Sequence, residues 1–574
     1  MNERSPGAAE LDRDGGAAPG PGGPEPAGRR ARRSAVRAAF RAVGLAALLG
    51  AAACGGRDER GAPAEGDAGP PVDGDKLVVG TPADVDGLNP LILTTVTAQD
   101  VADQVFWPLA QANPDFLTFR PGLADEWAFG DDSLSITFRL HPGVTWHDGR
   151  PLTAEDVVFA VGLCKDQRVP YSAVRWLDRI RDVVAVDSLT VRFDFTERYP
   201  YQLMDAVVCR PLPRHLLEGV DPARLAEHPF SRNPVGNGPF RFVSWVPQQS
   251  VELAAYENFF RGRPHLDGVI WRIIPDWTSL VTQIANGDVD LVVAVLPNYV
   301  PELEADRDLV LHAFPGRRYT YIAWNLDDPL FADRRVRRAL TMAIDRQGLV
   351  DALLYGRGDV LQGPFLKILW AYDPGLRGLP HDPAAAGRLL DEAGWRDTDG
   401  DGIRDRDGRP LRFELVTNAD NTMRMDIAVA VQSQLREIGV DVRPRGLEFV
   451  SFQERLTGKN FQAAVAGWNV QIKVDLATLW HTDAIDDQFN FISYSNPAVD
   501  SLIDSAAVTL DPDAARPLWS RAQQIIADDA GYTFLFHQYD VHALDRRFRG
   551  VEMNPYGWQY NLQEWWVPAE LQRF

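Results

Sequence analysis

A short run of alternating aspartates is the densest group of metal-ligating side chains in the sequence. Its members are Asp397, Asp399, Asp401 and Asp405. Carboxylates at alternate positions place oxygens on one side of a tight turn, and Gly402 allows the bend, as in a calcium-binding loop. Gly408, however, stands where such a loop has its bidentate Glu. We therefore favour a hairpin connection over a structural calcium ion, and we expect no other cofactor.

The sequence lacks the motifs of common hydrolases and ATPases. It contains no HExxH, no GxSxG and no GxxxxGK[ST]. Trp146 and His147 are candidate active-site residues by type alone. The next two residues, Asp148 and Gly149, are typical of a turn, which favours a structural role for this segment. The protein is predicted not to be an enzyme, and an exported hydrolase is the least favoured alternative.

An export signal precedes Cys54. Arginines are clustered between residues 29 and 41, and an apolar stretch, residues 42–53, follows them. A basic region, a short apolar region and small residues in this order are typical of a secretory leader. The apolar stretch is shorter than the ~20 residues that a membrane span needs. We therefore predict that residues 1–53 are a leader.

The residues around Cys54 are similar to a lipoprotein lipobox, in which the cysteine thiol takes a diacylglycerol. Ala51 stands where an aliphatic residue is usual, so secretion with an incidental cysteine is the alternative. Lipidation is favoured because a linker rich in Gly, Pro and charge follows at once. We predict a flexible tether over residues 54–75 and an extracytoplasmic protein, in the periplasm or at the cell surface, that a lipid anchors to the membrane.

Cys164 and Cys209 are the two remaining cysteines. Export would place both in an oxidising compartment, where cysteines can pair. Two buried free thiols are equally compatible with the sequence. We therefore predict either a disulfide or two structural thiols at these positions.

Composition indicates a large globular body. The chain has 574 residues, of which 45% are hydrophobic and 24% charged, and its net charge is −21. A strongly acidic protein repels phosphate backbones, so nucleic acid is excluded as a partner. The 16 Trp are expected mainly in the core, with some lining a ligand cleft.

The body alternates short strands with helices, which indicates a mixed α/β protein. Apolar runs or alternating patterns predict strands at residues 76–80, 134–140, 189–195 and 237–245. Thr153, Asp333 and Asp382 each precede a helical pattern and are predicted N-caps. Gly394 suits the C-terminal end of the last of these helices.

Several motifs resemble the extracellular solute-binding proteins of dipeptide and oligopeptide ABC transporters, known as family 5. The most specific is FRLHPGVTWHDGRPLTAEDVVF at residues 138–159. The others, in family order, are DGLNP at 86–90, VGNGPF at 235–240, AWN at 323–325, RRVRRALTMAIDR at 334–346 and DPAAAGRLLDEAGW at 382–395. Together they cover the chain from about residue 76 to its end.

The resemblance implies an α/β fold of two lobes, the type II (cluster C) periplasmic-binding-protein fold, with an extra α/β subdomain inserted in the first lobe. Crossover strands would join the lobes, which would close on a ligand. The implied borders give lobe I residues 76–119, 238–312 and 540–574, the inserted subdomain residues 120–237, and lobe II residues 313–539.

The resemblance also places a ligand cleft between the lobes. The residues it points to are Thr95, Trp324, Asn325, Trp370, Tyr372, Trp468, Asn469, Gln471, Lys473 and Asp475. In the family, the segment that corresponds to residues 467–475 carries a Trp followed shortly by an Asp, and this Asp pairs with a peptide's α-amino group. Gln471 stands at the position of that Asp here. Asp475 could replace it, and Lys473 could meet a carboxylate; pairing of these two with each other is the alternative. For each cleft residue, ordinary packing is the competing interpretation.

The resemblance implies the binding component of an ABC importer that captures a peptide or peptide-like ligand. Its partners would be permease subunits with cytoplasmic ATPases, and it would act as a monomer. An oligosaccharide or a metal chelate is an alternative ligand, since one fold hosts many sites. A receptor or chaperone that uses the same fold without transport is the other alternative.

Overall fold

The computed structural model describes residues 69–574, so the leader, Cys54 and most of the tether lie outside the described residues. The strands are β1 Lys76–Thr81, β2 Ala110–Ala112, β3 Phe119–Pro121, β4 Ala124–Phe129, β5 Ser135–Leu140, β6 Ile180–Ala185, β7 Thr190–Phe195, β8 Phe240–Val246, β9 Ser250–Ala255, β10 Gly268–Ile273, β11 Leu291–Val292, β12 Leu309–Trp324, β13 Gly358–Val360, β14 Asp405–Arg406, β15 Arg409–Pro410, β16 Arg412–Asn418, β17 Asp441–Leu447, β18 Ala463–Asn469 and β19 Tyr532–Asp545.

Helices lie between these strands along the whole described chain. They are α1 Val96–Val105, α2 Ala154–Lys165, α3 Gln202–Val207, α4 Arg214–Leu217, α5 Trp277–Ala285, α6 Val300–Glu304, α7 Arg334–Ala343, α8 Arg346–Leu353, α9 Pro383–Glu392, α10 Thr422–Arg436, α11 Phe449–Thr457, α12 Ala477–Trp480, α13 Pro497–Val508 and α14 Pro512–Asp529. Within the described residues, none of them has the length and apolar character needed to cross a bilayer.

Two long strands, β12 and β19, connect two lobes. The main sheet has the order β17-β16-β18-β12-β19-β11-β1-β10-β9-β8, and β13 pairs with β19. Two residues near the C-terminal end of β19 pair with β11 of lobe I, whereas the C-terminal half of β12 pairs with β18 of lobe II. The predicted borders at residues 313 and 540 both fall inside these strands, because each strand runs without interruption from one lobe into the other.

A separate four-stranded antiparallel sheet, with the order β4-β5-β7-β6, forms the inserted subdomain. Its apolar side is one continuous core with lobe I, while lobe II has its own buried clusters. The predicted insertion, residues 120–237, contains all four strands.

The predicted helix starts are confirmed. Thr153 forms a capping box with Asp156 at the start of α2. Asp333 and Asp382 accept hydrogen bonds from backbone amides in the first turns of α7 and α9. Gly394 follows α9 with a φ of +87°, a left-handed conformation that favours glycine. Short polar side chains therefore set these boundaries locally.

Candidate ligand cleft

Aromatic residues cover the place where the crossover strands meet lobe II. Tyr319 and Tyr321 lie on β12, Tyr532 on β19 and Trp468 on β18. The rings of Tyr321 and Tyr532 stack with centroids 4.1 Å apart, and those of Tyr321 and Trp468 with centroids 6.1 Å apart. The ring of Tyr319 packs against this stack at a tilt of 47°, with its centroid 5.6 Å from that of Tyr321. β-Strands alternate their side chains, so residues two apart on β12 share this face.

The hydroxyl of Tyr319 is a buried polar group without a partner. The side chain is only 3% exposed, and its oxygen makes no hydrogen bond within the described residues. Burial raises the pKa of Tyr319 well above its ordinary value, so the hydroxyl stays protonated and can donate. An unsatisfied buried hydroxyl is costly, and a ligand acceptor would satisfy it.

The loop after β18 runs from lobe II to the inserted subdomain. The amide of Val470 donates to the Arg317 carbonyl of β12 at 2.7 Å. Asn469 and Gln471 are exposed. The ammonium of Lys473 lies 3.1 Å from each carboxylate oxygen of Asp205 on α3.

The structure rules out the alternative in which Lys473 and Asp475 pair with each other. Lys473 binds Asp205, and Asp475 accepts the amide of Ala477 at 2.8 Å at the start of α12. Asp475 is exposed and acts as a cap, and the charge of Lys473 is compensated within the protein.

Asp205 is held by groups of the subdomain as well. Tyr199 donates its hydroxyl to Asp205 at 2.7 Å, and Tyr201 donates its own to the Val474 carbonyl at 2.8 Å. Burial raises the pKa of Asp205 above its ordinary value, although the nearby Lys473 lowers it. The loop and the subdomain therefore meet through one ion pair and one further hydrogen bond.

A cavity of about 190 Å³ lies beside this contact. Its walls come from the inserted subdomain, from the residues around β3 and from lobe II, and they are mainly apolar; they include Phe116, Tyr201, Met204, Trp370 and Leu510. The indole N–H of Trp370 has no hydrogen-bond partner within the described residues. Apolar walls with a few polar groups are typical of small-molecule pockets.

Helix α1 contributes carboxylates on the lobe I side. Asp100 accepts hydrogen bonds from the indole of Trp558 at 3.0 Å and from Gln559 at 3.3 Å, and Asp103 accepts one from Arg210 at 2.7 Å. Burial raises the pKa of Asp100 to about 7. Both carboxylate oxygens of Asp100 are therefore occupied by donors of the protein itself.

The family model for bacterial extracellular solute-binding proteins, family 5 Middle, matches residues 118–490 of this chain. The chain belongs to this family. The oligopeptide-binding protein AppA of Bacillus subtilis is 32% identical over 90% of this chain and 96% of its own. Protein XP55 of Streptomyces lividans is 32% identical over 91% of this chain and 93% of its own. The solved structure of AppA in complex with a nonapeptide has a TM-score of 0.71, with 87% of this chain and 100% of that chain covered.

Two of the predicted cleft residues of this family 5 protein lie in the core instead. Trp324 is 0% exposed, and its indole donates to Thr533 at 3.0 Å. The side-chain amide of Asn325 donates to the carbonyls of Lys459 and Phe461. Both side chains are therefore occupied by the packing of lobe II, which corrects their assignment as ligand contacts.

The structure places the remaining predicted residues in four different settings. Thr95 caps α1 by accepting the amide of Ala98 at 3.3 Å, and its hydroxyl donates to Asp86. Trp370 lines the cavity, and Tyr372 packs at the edge of the lobe II core. Trp468 joins the aromatic stack. The ligand contacts predicted for these residues remain predictions.

The aspartate loop is a hairpin connection, as favoured from the sequence. It ends in the two-stranded sheet β14-β15, and ligand atoms of Asp397, Asp399 and Asp405 lie within 4.8 Å of one another. The carboxylates of Asp397 and Asp405 accept hydrogen bonds from Gly400 and Thr398 inside the loop. The fourth predicted ligand, Asp401, is not part of this cluster; it accepts the amide of Ile403. A structural calcium ion remains a prediction.

The TWHDG and VGNGPF motifs contact each other. Nδ1 of His147 accepts the amide of Gly236 at 3.2 Å, and its Nε2 lies 3.0 Å from the Gly238 carbonyl. A Cβ on Gly236 would lie 1.9 Å from the Val105 carbonyl oxygen, so only glycine fits there. The contact between the two motifs therefore joins the inserted subdomain to lobe I, in agreement with the structural role favoured for the TWHDG segment from the sequence.

Sequence reasoning missed the residues that Lys473 contacts. A disulfide joins Cys164 of α2 to Cys209, which lies four residues after Asp205. Asp205, Tyr199 and Tyr201 carry no local motif, since the loop residues that they contact are more than 260 positions away in the sequence. Their position just before Cys209 was the only available signal. A Cys164–Cys209 disulfide, one of the two alternatives considered from the sequence, would place this segment next to α2.

Proposed function

We propose that this protein is the substrate-binding component of an ABC importer and that it captures a peptide or peptide-like ligand between its two lobes. The similarity to AppA over 96% of that protein's length carries this proposal. The two crossover strands supply a hinge, and ligand contacts made only in the closed arrangement favour closure. Permease subunits recognise the closed form, and ATP hydrolysis belongs to separate cytoplasmic subunits.

The loop after β18 supports recognition of peptide backbone rather than of a terminal charge. Gln471 is neutral, and Asn469 beside it is also an amide. Amide side chains both donate and accept, which suits the alternating groups of a peptide backbone. Lys473 is already paired, so a ligand carboxylate has to compete with Asp205 for it. We infer that a free α-amino group contributes little to affinity.

The cavity beside the loop supports a ligand with an apolar group. A cavity of ~150 Å³ lined by apolar side chains is large enough to bind benzene. The cavity here is of similar size and opens between three parts of the chain that meet at the cleft. A peptide with a Phe or Leu side chain suits it best.

A thermal-shift panel tests the proposal. Pools of synthetic dipeptides, tripeptides and nonapeptides, with and without N-acetylation, are compared with oligosaccharides and nickel–histidine. Peptide pools are expected to raise the Tm in a concentration-dependent way, because a ligand that binds only the native state stabilises it. N-acetylation is expected to change the shift little. A rise in Tm with oligosaccharide or nickel–histidine, and none with peptide, would contradict a peptide ligand.

Lipid attachment at Cys54 is part of the proposal, since the lipobox and the tether are features of the sequence. Two or more acyl chains hold a protein stably at a membrane. Metabolic labelling with a radioactive fatty acid should label the wild-type chain but not C54S. Equal labelling of both, or of neither, contradicts the anchor. The protein itself is expected to act as a monomer without enzymatic activity.

A further inference from the structure

The ammonium of Lys473 lies inside a set of side chains that belongs wholly to the inserted subdomain. We call these side chains the ammonium cage; they are Trp176, Tyr199, Tyr201 and Asp205. Nζ of Lys473 lies 5.2, 5.8 and 5.3 Å from the centroids of the three rings, in that order. A cation within ~6 Å of an aromatic face is attracted by the ring quadrupole, and the carboxylate adds a full charge.

Contacts within the subdomain hold Asp205 and Tyr199 of the ammonium cage in place. Asp205 is part of α3, and Gln202 of the same helix donates to the Ser133 carbonyl at 3.0 Å. The disulfide between Cys164 and Cys209 ties the end of this segment to α2. Tyr199 donates to Asp205 directly. A site supported in this way is preorganised, so its occupant loses little binding energy to rearrangement.

Lys473 reaches the ammonium cage from the other lobe. It follows β18 of lobe II, and its contact with Asp205 joins residues separated by 268 positions. The side chain of Asp205 is 1% exposed and that of Lys473 is 18% exposed. Rotation of the lobes about β12 and β19 would break this ion pair and withdraw the ammonium from the three rings.

The residue type at position 473 also points to an ammonium site. The chain contains five lysines among its 59 Lys and Arg residues, so arginine is its usual cation. A compact ammonium fits between three rings and a carboxylate, whereas the planar guanidinium of Arg needs a wider, fork-shaped set of acceptors. Arg179, whose guanidinium lies 4.8 Å from the centroid of the Tyr199 ring, is already paired with Glu197.

We propose that the ammonium cage is a binding site for a primary alkylammonium group and that Lys473 is its intramolecular occupant. In this role Lys473 locks lobe II against the inserted subdomain. Loss of the occupant opens the cage to a free alkylammonium ion of the same shape.

Chemical rescue of the K473A variant tests the site without any knowledge of the transported ligand. Alanine retains Cβ, so n-propylammonium replaces the atoms removed from the lysine. The Tm of K473A, measured on the purified full chain, should lie below that of the wild type. It should then rise saturably with n-propylammonium chloride, relative to sodium chloride at equal ionic strength.

The matched control is K76A. Lys76 forms a comparable ion pair with Glu252 at 2.8 Å, but both side chains are about 30% exposed, and within residues 69–574 no aromatic ring lies over the Lys76 ammonium. Wild type and K76A should show no saturable response to n-propylammonium. A response of K473A no larger than that of these two proteins overturns the proposal. Because no transport ligand is involved, this failure is distinguishable from failure of the proposed function.

Lysine reactivity provides a second measurement that does not depend on the folding of K473A. In the native wild type, a brief treatment with an acylating reagent followed by peptide mass spectrometry should modify Lys473 about tenfold more slowly than Lys367, whose side chain is 43% exposed. D205N should remove most of that protection. Equal rates at both lysines in the wild type, or full protection retained in D205N, contradicts the lock.

Discussion

The rings of Tyr321 and Tyr532 stack 4.1 Å apart at an interplanar angle of 14°, and they belong to the two different strands that connect the lobes. A rotation of lobe II about these strands has to preserve or shear this stack. Trp468, from the adjacent β18, extends it toward the loop that contacts the inserted subdomain. The same side chains therefore belong to the strands that join the lobes and to the candidate ligand surface, and we expect ligand contact and lobe closure to be coupled.

Substitution of Tyr319 separates ligand binding from folding. The hydroxyl of Tyr319 has no partner within the described residues, so Y319F should leave the Tm of the ligand-free protein unchanged or slightly higher. If a ligand satisfies the hydroxyl, the Kd for that ligand should rise about 3- to 10-fold, as measured by calorimetric titration. Y355F, at a tyrosine that is 50% exposed, is the control. A marked loss of ligand-free stability in Y319F would show that the protein itself satisfies the hydroxyl.

Glycine substitutions test the contact between the two family motifs. G236A should lower the free energy of unfolding by ~2–4 kcal/mol, because its Cβ would collide with the Val105 carbonyl oxygen. G162A is the control. A Cβ there meets nothing within 4 Å, and the residue lies inside α2, where alanine is favoured over glycine by up to ~1 kcal/mol. Denaturant unfolding measures both. Equal effects of the two substitutions would contradict the close approach at Gly236.

Removal of the disulfide should loosen the inserted subdomain. The bond closes a loop between residues 45 apart, for which loss of the crosslink costs ~2–4 kcal/mol. C164A/C209A should lower the Tm and increase hydrogen exchange in α3 more than in the helices of lobe II. Wild type in the presence of a reducing agent should behave similarly. Increased exchange confined to lobe II would contradict this assignment.

Two buried histidines should make the protein less stable in acid. Burial lowers the pKa of His147 and of His542 from 6.5 to about 4. Between these values the unfolded chain binds protons that the folded chain does not, so stability is lost as pH falls from about 6.5 toward 4. Each histidine contributes roughly 3 kcal/mol of this loss at the acid end.

Variants at His542 isolate one of these contributions. Nδ1 of His542 accepts the Ala294 amide at 2.9 Å, which requires an unprotonated nitrogen. H542N retains an acceptor without a titrating group and should flatten the fall of Tm between pH 6.5 and 4. If the fall of Tm with pH is the same in H542N as in the wild type, His542 has the same pKa in the folded and unfolded chains, which contradicts this prediction.

Local chemistry explains which features could be predicted from the sequence. Thr153, Asp333 and Asp382 mark helix starts because an N-cap is satisfied within three residues. The family motifs predicted the family and its two-lobed α/β fold. Trp324 and Asn325 were assigned to the cleft because they end an apolar run at a family position, yet β12 buries them in lobe II. The partner of Lys473 could not be predicted, since only the fold brings α3 to the loop after β18.

The most direct test of the central claim is native mass spectrometry of the purified protein before and after mild denaturation. The account predicts an added mass that dissociates on denaturation and fragments as a peptide. W468A, which removes part of the aromatic stack, should lose most of that mass while staying folded. A released saccharide, chelate or other non-peptide molecule would contradict peptide capture, and full retention of the bound mass by W468A would contradict the cleft as its site.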